Sequence, residues 1–122
     1  MTKKILIVDD EPNIVISLEF LMKKEGFEVA VANDGDEALA KVASFNPDLL
    51  LLDVMMPKKS GFEVCEALRA DSECTGLKIV MLTAKGRDTE MAKGLAIGAD
   101  AYVTKPFSTK ELVDKVKEML AV

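Results

Sequence analysis

Five short apolar runs recur along the chain, with room for a helix between each pair. They are rich in leucine and β-branched residues, show little polar alternation, and occupy positions 5–8, 29–31, 49–52, 79–82 and 101–103. Strands that are buried on both faces have this pattern. We therefore predict five strands whose sheet is covered on both faces.

The segments between these runs have the periodicity of helices. One face of the first segment carries Ile14, Val15, Leu18, Leu21 and Met22, and one face of the last carries Leu112, Val113, Val116, Met119 and Leu120. Apolar faces of this kind pack on a sheet. The pattern predicts five helices that alternate strictly with the five strands.

Capping residues mark where several helices begin and end. Ser60 and Ser108 each precede a glutamate by three residues, which is the spacing of a reciprocal capping box, and Asp34 has a weaker version of it. The first helix is expected to end near Gly26, and the pair Asn46 and Pro47 is expected to close the second.

Strict alternation of strands and helices predicts a parallel sheet covered on both faces. Parallel neighbours cannot be joined by a tight hairpin, and their crossovers are right-handed. The fold class that we predict is α/β, a flavodoxin-like doubly wound sheet of five parallel strands with five helices on both faces. The strand order expected for this fold is 2-1-3-4-5, and it comes from the fold rather than from this sequence. Without a visible linker or repeat, residues 1–122 are predicted to form one domain.

Composition narrows the classes of partner. Charged residues make up 30% and apolar residues 49% of the 122 residues, as in ordinary soluble globular proteins. The net charge of -5 has the wrong sign for broad attraction to nucleic acid or anionic lipid. No apolar stretch resembles a signal peptide or a membrane-spanning helix. We expect a soluble cytoplasmic protein that has no direct contact with nucleic acid or membrane.

The absence of histidine removes several kinds of chemistry. The usual zinc and haem sites and the Ser-His-Asp triad use histidine, and the sequence has none. Its two cysteines, Cys65 and Cys74, do not have the spacing of metal ligands. Both are interpreted as reduced thiols.

Polar residues follow the predicted strands where ligands gather in such a sheet, beyond the carboxyl ends. The first strand ends in Asp9 and Asp10, the third in Asp53 and the fourth in Thr83, while the fifth leads to Lys105. Three carboxylates in one place repel one another unless a cation compensates them. Mg²⁺ prefers such oxygens and often shares its ligand shell with a phosphate.

A divalent metal beside a lysine is typical of phosphoryl transfer. The chain lacks the glycine-rich loops that hold nucleotides, so ATP is not expected to be the direct donor. Aspartate itself can accept a phosphoryl group as an acyl phosphate. Asp53, in the middle of the predicted cluster, is the candidate nucleophile.

The order and spacing of these five residues resemble the signature of response-regulator receiver domains. Segment 53–57 (DVMMP) with Gly61 is similar to the loop that follows the family's phosphoacceptor, and segment 98–107 (GADAYVTKPF) is similar to its fifth-strand motif. The resemblance extends over the whole chain and is closest to single-domain chemotaxis regulators. It implies two-component phosphorelay signalling.

The resemblance also implies roles for the metal site. Asp10, Asp53 and the backbone carbonyl of Met55 would bind Mg²⁺ directly, while Asp9 would act largely through bound water. We also expect that Mn²⁺ can replace Mg²⁺ at this site. Asp53 would take the phosphoryl group from a sensor histidine kinase or a histidine phosphotransfer protein, and small acyl phosphates can replace that donor. The chain would catalyse only its own phosphorylation and dephosphorylation, and would not be an enzyme acting on other substrates.

The switch is implied in the same way. Thr83 would hydrogen-bond the phosphoryl group, Lys105 would pair with it, and Tyr102 would turn inward behind Thr83. The surface of the fourth helix, fifth strand and fifth helix would then change for a downstream protein target or a missing output domain. In the family the peptide before Pro106 is usually cis. The resemblance leaves open a monomer or a weak phosphorylation-dependent dimer.

Alternative interpretations remain at this stage. The paired aspartates could simply cap a helix beside Pro12. A Mg²⁺-dependent phosphatase or phosphotransferase would use the same acyl-phosphate chemistry, but it normally needs a second acid where this chain has Met55, and a substrate-binding cap. A flavin-binding module is a further alternative, but the first strand-to-helix turn lacks the phosphate loop that a flavin would use. A stand-alone receiver and a piece of a longer regulator are not separable from the sequence.

Overall fold

Five parallel strands form one sheet in the computed structural model, which describes residues 2–54, 56, 59–71, 76–84, 98–105 and 107–121. The strands are β1 (Lys4–Val8), β2 (Glu28–Ala32), β3 (Leu49–Asp53), β4 (Lys78–Ala84) and β5 (Ala101–Lys105). The helices are α1 (Pro12–Lys24), α2 (Gly35–Phe45), α3 (Gly61–Ala70) and α4 (Thr109–Leu120).

The sheet has the strand order β2-β1-β3-β4-β5, and all four pairs of neighbours are parallel. The predicted flavodoxin-like architecture and its strand order are therefore confirmed. All five strands extend beyond the predicted apolar runs. The extra residues at the carboxyl ends of β3, β4 and β5 are polar or small, so hydrophobicity alone could not mark them.

The helix count differs from the prediction. The described residues contain four helices, not five. The additional helix was expected between the fourth and fifth strands, where 85–97 lie outside the described residues. Helix α4 corresponds to the predicted fifth helix. No helix in the described part of the chain is both long enough and apolar enough to cross a membrane.

The core has two halves, one on each face of the sheet, because successive side chains of a strand point to opposite faces. One half joins β-strand side chains such as Leu50 and Leu52 to α2 and α3. The other joins Leu49 and Leu51 to α1 and α4. Strand β3 is buried over its whole length, as expected of the central strand of a parallel sheet.

Capping interactions hold the helices at the predicted positions. Ser60 and Glu63 form both bonds of the capping box at α3. At α4 the Ser108 hydroxyl accepts a hydrogen bond from the amide three residues later, and at α2 the Asp34 carboxylate does the same. Helix α2 ends at Phe45 and is capped by Asn46, which adopts the left-handed conformation with φ of 51°. These boundaries place the strand ends, and the side chains they carry, at one edge of the sheet.

Candidate functional site

The carboxyl edge of the sheet brings together four of the predicted site residues, Asp9, Asp10, Asp53 and Lys105. Asp53 and Lys105 are the last residues of β3 and β5, and Asp9 directly follows β1. The Asp9 amide continues the ladder by donating to the Ala32 carbonyl of β2 at 3.3 Å. The side chains of Asp9, Asp53 and Lys105 are therefore carried on hydrogen-bonded strand ends rather than on a long loop.

Lys105 lies between two carboxylates. Its Nζ is 3.1 Å from Asp9 Oδ2 and 3.3 Å from Asp53 Oδ1. The Asp9 side chain has no exposed surface, and its other oxygen accepts the Glu11 amide at 3.0 Å. Both oxygens of Asp9 thus accept hydrogen bonds from protein donors, and its expected role on a metal through water stays a prediction.

Alternation along the strands explains this pairing. Side chains two positions apart in a strand point to the same face of the sheet, so Lys105 shares a face with Val103, and Asp53 shares a face with Leu51. Val103 and Leu51 both pack in the half of the core that contains α1 and α4. The ammonium and the Asp53 carboxylate therefore project to the same face of the sheet. A shift of one residue in either strand would separate them.

Asp9, Asp10 and Asp53 form a cluster of oxygen donors. One carboxylate oxygen from each can be chosen so that all three lie within 4.8 Å of one another. Asp9 and Asp53 are buried, whereas Asp10 is exposed. Within the part of the chain that the structure describes, three carboxylates face the single ammonium of Lys105, which leaves an excess of negative charge among these groups. Oxygen donors in this number and with this charge fit a hard divalent cation such as Mg²⁺.

The surroundings of Lys105 act on its pKa in opposite directions. Burial disfavours the charged ammonium and lowers the pKa, while the hydrogen bond to Asp9 and the negative charges of Asp53 and Asp9 raise it. The carboxylates outweigh burial, and the pKa lies above its usual value. Lys105 is therefore held as a cation beside the cluster.

Thr83 and Tyr102 lie on the other face of the sheet. Thr83 has the same parity in β4 as Met81, which faces α2 and α3, and it is almost completely buried. Tyr102 pairs in register with Met81 and is partly buried against the same half of the core. The structure therefore puts the two predicted switch residues on one face, two positions apart in the register.

Two predicted features lie outside the described residues. Met55, whose carbonyl is the predicted third metal ligand, is one of them, and Pro106, with the cis peptide expected before it, is the other. Both remain predictions.

Sequence reasoning missed an apolar groove beside the site. It has a volume of about 380 Å³ and extends from Lys105 along the start of α1. The residues that line it are Asn13, Ile14, Ser17, Leu18, Lys105, Phe107 and Thr109. Ile14 and Leu18 belong to the apolar stripe of α1, so the sequence indicated one wall of the groove. That Phe107 lines the same groove could be seen only in the tertiary structure.

Comparison with known proteins gives concordant results. The sequence matches the response regulator receiver domain family over residues 5–117. It is 48% identical over 120 residues to the DNA-binding response regulator MtrA of Mycolicibacterium smegmatis, a match that covers 98% of this chain and 51% of MtrA. The chain thus spans about half the length of that relative.

Solved structures are similar over nearly the whole chain. A response regulator from Chloroflexus aurantiacus J-10-fl superposes with a TM-score of 0.95 at 37% identity, covering 100% of both chains. The response regulator TrrA of Thermotoga maritima, solved in complex with Mg²⁺-BeF, has a TM-score of 0.85 at 42% identity, covering 97% of this chain and 99% of TrrA.

Proposed function

Since this chain belongs to the family of response-regulator receiver domains, we propose that it accepts a phosphoryl group on Asp53 in a Mg²⁺-dependent reaction. The observation that carries the proposal is the position of the Lys105 ammonium, 3.3 Å from Asp53 and 3.1 Å from Asp9, beside the three-carboxylate cluster. This arrangement unites a nucleophile, a fixed cation and a set of metal ligands.

In the proposed step, an Asp53 carboxylate oxygen attacks the phosphorus of a phosphohistidine on a sensor kinase or phosphotransfer protein. The new P–O bond forms as the P–N bond to the donor imidazole breaks, and the nitrogen keeps the electron pair. Lys105 neutralises part of the charge on the transferred group. With acetyl phosphate as donor, the bond that breaks is P–O, and acetate leaves.

Asp10 and Asp53 would hold the metal, with Asp9 positioned behind them, and Mn²⁺ is expected to replace Mg²⁺. A bound divalent cation would offset the carboxylates and supply positive charge to the phosphoryl oxygens. The Mg²⁺-BeF complex of the relative TrrA supports this choice of metal. The protein's own contribution is to fix the oxygens at the ends of β1 and β3.

The apolar groove supports a macromolecular donor. It begins at Lys105, which contacts Asp53, and it is lined mainly by apolar surface of α1 and of the segment after β5. A donor helix seated there could bring its phosphohistidine towards Asp53. The acceptor would process no other substrate, so the protein would be a signalling module rather than an enzyme.

Phosphorylation would be read out through Thr83 and Tyr102. Thr83 lies one residue before the carboxyl end of β4, and Tyr102 lies on the same face of the sheet. A new hydrogen bond from Thr83 to the phosphoryl group would favour one position of this pair and change the surface around β5 and α4. The relative MtrA is named as a DNA-binding regulator and is about twice as long. Output could therefore use a separate target protein or a further domain.

The test is intact-mass measurement after incubation with acetyl phosphate and Mg²⁺. We expect one labile phosphoryl adduct on the unchanged protein, and none after addition of a chelator. Asp53→Asn should give no adduct. Asp114→Asn, an exposed substitution on α4, is the matched control and should label like the unchanged protein.

An equal adduct on Asp53→Asn would show that the acceptor is another residue. Labelling that persists in chelator would contradict the metal requirement. Loss of the adduct in Asp114→Asn would show that the effect of Asp53→Asn is not specific to the site.

A further inference from the structure

Between β3 and α3 the structure describes residues 53, 54, 56 and 59–61, and these residues are here called the acceptor loop. They begin at the predicted phosphoacceptor, Asp53. The residues of this loop contact two glycines so closely that a β-carbon would not fit at either. One of the glycines, Gly61, belongs to the loop itself. The other, Gly35, lies in a different element.

Gly61, the last residue of the acceptor loop, packs against the first two residues of the loop. Its amide donates to the Val54 carbonyl at 2.9 Å. A β-carbon on Gly61 would overlap the Asp53 carbonyl oxygen and lie 2.9 Å from Val54 Cα. The position of the Asp53 backbone therefore depends on where Gly61 lies.

Gly35 determines where the end of the acceptor loop can lie. It is buried at the start of α2, and a β-carbon there would overlap Lys59 Cβ and lie 2.7 Å from the Lys59 carbonyl oxygen. The oxygen belongs to the backbone, so rotation of the lysine side chain cannot relieve this contact. Lys59 would have to move by about 0.7 Å or more to reach the ordinary contact distance of 3.4 Å.

The start of α2 is firmly held, so the acceptor loop would have to make most of the movement. The Asp34 carboxylate caps the helix by accepting the Glu37 amide at 2.8 Å. Ala38 and Val42 of α2 are buried in the core. Lys59, in contrast, is half-buried, and its Nζ lies 4.0 Å from Asp36 in an exposed ion pair.

We propose that Gly35 is a positioning residue for phosphoryl transfer: by lacking a side chain, it lets Lys59 seat against α2 and so sets the place of Asp53 and the loop that follows it. The inference rests on the proposed function of Asp53. It adds a residue from α2, an element that contributes none of the predicted metal or phosphate ligands.

The experiment compares Gly35→Ala with the unchanged protein and with Gly76→Ala. Gly76 is the matched control because a β-carbon there would meet nothing within 4 Å. All three proteins are confirmed as folded by circular dichroism without denaturant. The rate of adduct formation from acetyl phosphate is then measured at several Mg²⁺ concentrations. Amide exchange is followed by NMR at Gly61, with Glu28, which donates to Lys3 at 3.0 Å, as the remote reference.

We expect Gly35→Ala to be phosphorylated about 10- to 100-fold more slowly, because displacements of this size have such effects on reacting groups. Gly61 should exchange faster relative to Glu28. Adding Lys59→Gly to Gly35→Ala removes the overlapping β-carbon and should restore part of the rate. Gly76→Ala should match the unchanged protein in both readouts.

A folded Gly35→Ala that keeps the normal rate and the normal exchange ratio of Gly61 to Glu28 would overturn the proposal. Equal acceleration of exchange at both amides would also overturn it, since it would show a general loss of stability. If the unchanged protein forms no adduct, the proposed function fails, and the exchange ratio alone decides whether Gly35 positions the loop.

Discussion

Replacing Lys105 by methionine removes the only cation that the described residues place against the acidic cluster, while keeping a side chain of similar length. Asp9 and Asp53 would then face each other without the ammonium that now lies 3.1 and 3.3 Å from them. We expect the free energy of unfolding to fall, because two buried carboxylates lose a compensating charge.

The expected size follows from burial. Removing one partner of a buried ion pair costs about 3–5 kcal/mol. The Lys105 side chain is 23% exposed and Asp9 keeps its bond to the Glu11 amide, so the loss should be smaller, about 2–3 kcal/mol. At an ordinary urea dependence for a small domain, this lowers the midpoint of unfolding by about 1–2 M.

Urea unfolding followed by far-ultraviolet circular dichroism suits this protein, which has no tryptophan. The measurement is made with chelator and again with Mg²⁺. The loss should shrink with Mg²⁺, because the cation takes over part of the compensation of the carboxylates. Lys110→Met is the control: this lysine is 88% exposed and pairs with Asp114 only at the surface, so the change should be below about 0.5 kcal/mol.

The pKa of Lys105 gives the sign of the pH dependence. It is raised in the folded protein above its ordinary value of 10.5, so folding favours the protonated form. The stabilisation by Lys105 is complete below the ordinary value and is lost as the pH rises through the higher, folded-state value. The stability difference between the unchanged protein and Lys105→Met should therefore narrow at strongly alkaline pH. Equal midpoints for Lys105→Met and Lys110→Met at neutral pH in chelator would refute this reasoning.

Three further predictions concern the scaffold. Ser60→Ala removes the hydroxyl of the α3 capping box and should cost about 1 kcal/mol in urea unfolding, whereas Ser44→Ala on exposed α2 surface should cost little. Leu51→Ala empties a fully buried site in β3 and should cost about 3–4 kcal/mol by the same assay. Burial raises the pKa of the Cys65 thiol, with partial opposition from Arg69. In a Cys74→Ser background, Cys65 should react with a thiol reagent far more slowly in the native protein than in urea, and rapid native labelling would contradict its burial.

Much of this protein could be predicted from its sequence because the underlying signals are local. Apolar runs separated by amphipathic segments predicted the alternating parallel fold, and serine or aspartate before a glutamate predicted three helix starts. The parallel topology then placed Asp9, Asp53 and Lys105 at one edge, since all strand ends of one sense meet there. The same signals underestimated β3 and β5, whose last residues, Asp53 and Lys105, are polar.

The tertiary structure decided the contacts between residues distant in the chain. Lys105 pairs with Asp9 across 96 residues, because strand parity and sheet order put the two on the same face. Gly35 meets Lys59 only because α2 and the acceptor loop converge at the sheet edge. The local sequence pattern determines the conformation of each element and which of its faces is buried. The distance between two elements depends on how the whole core packs, and differences of tenths of an ångström in that distance have no signal in the local sequence.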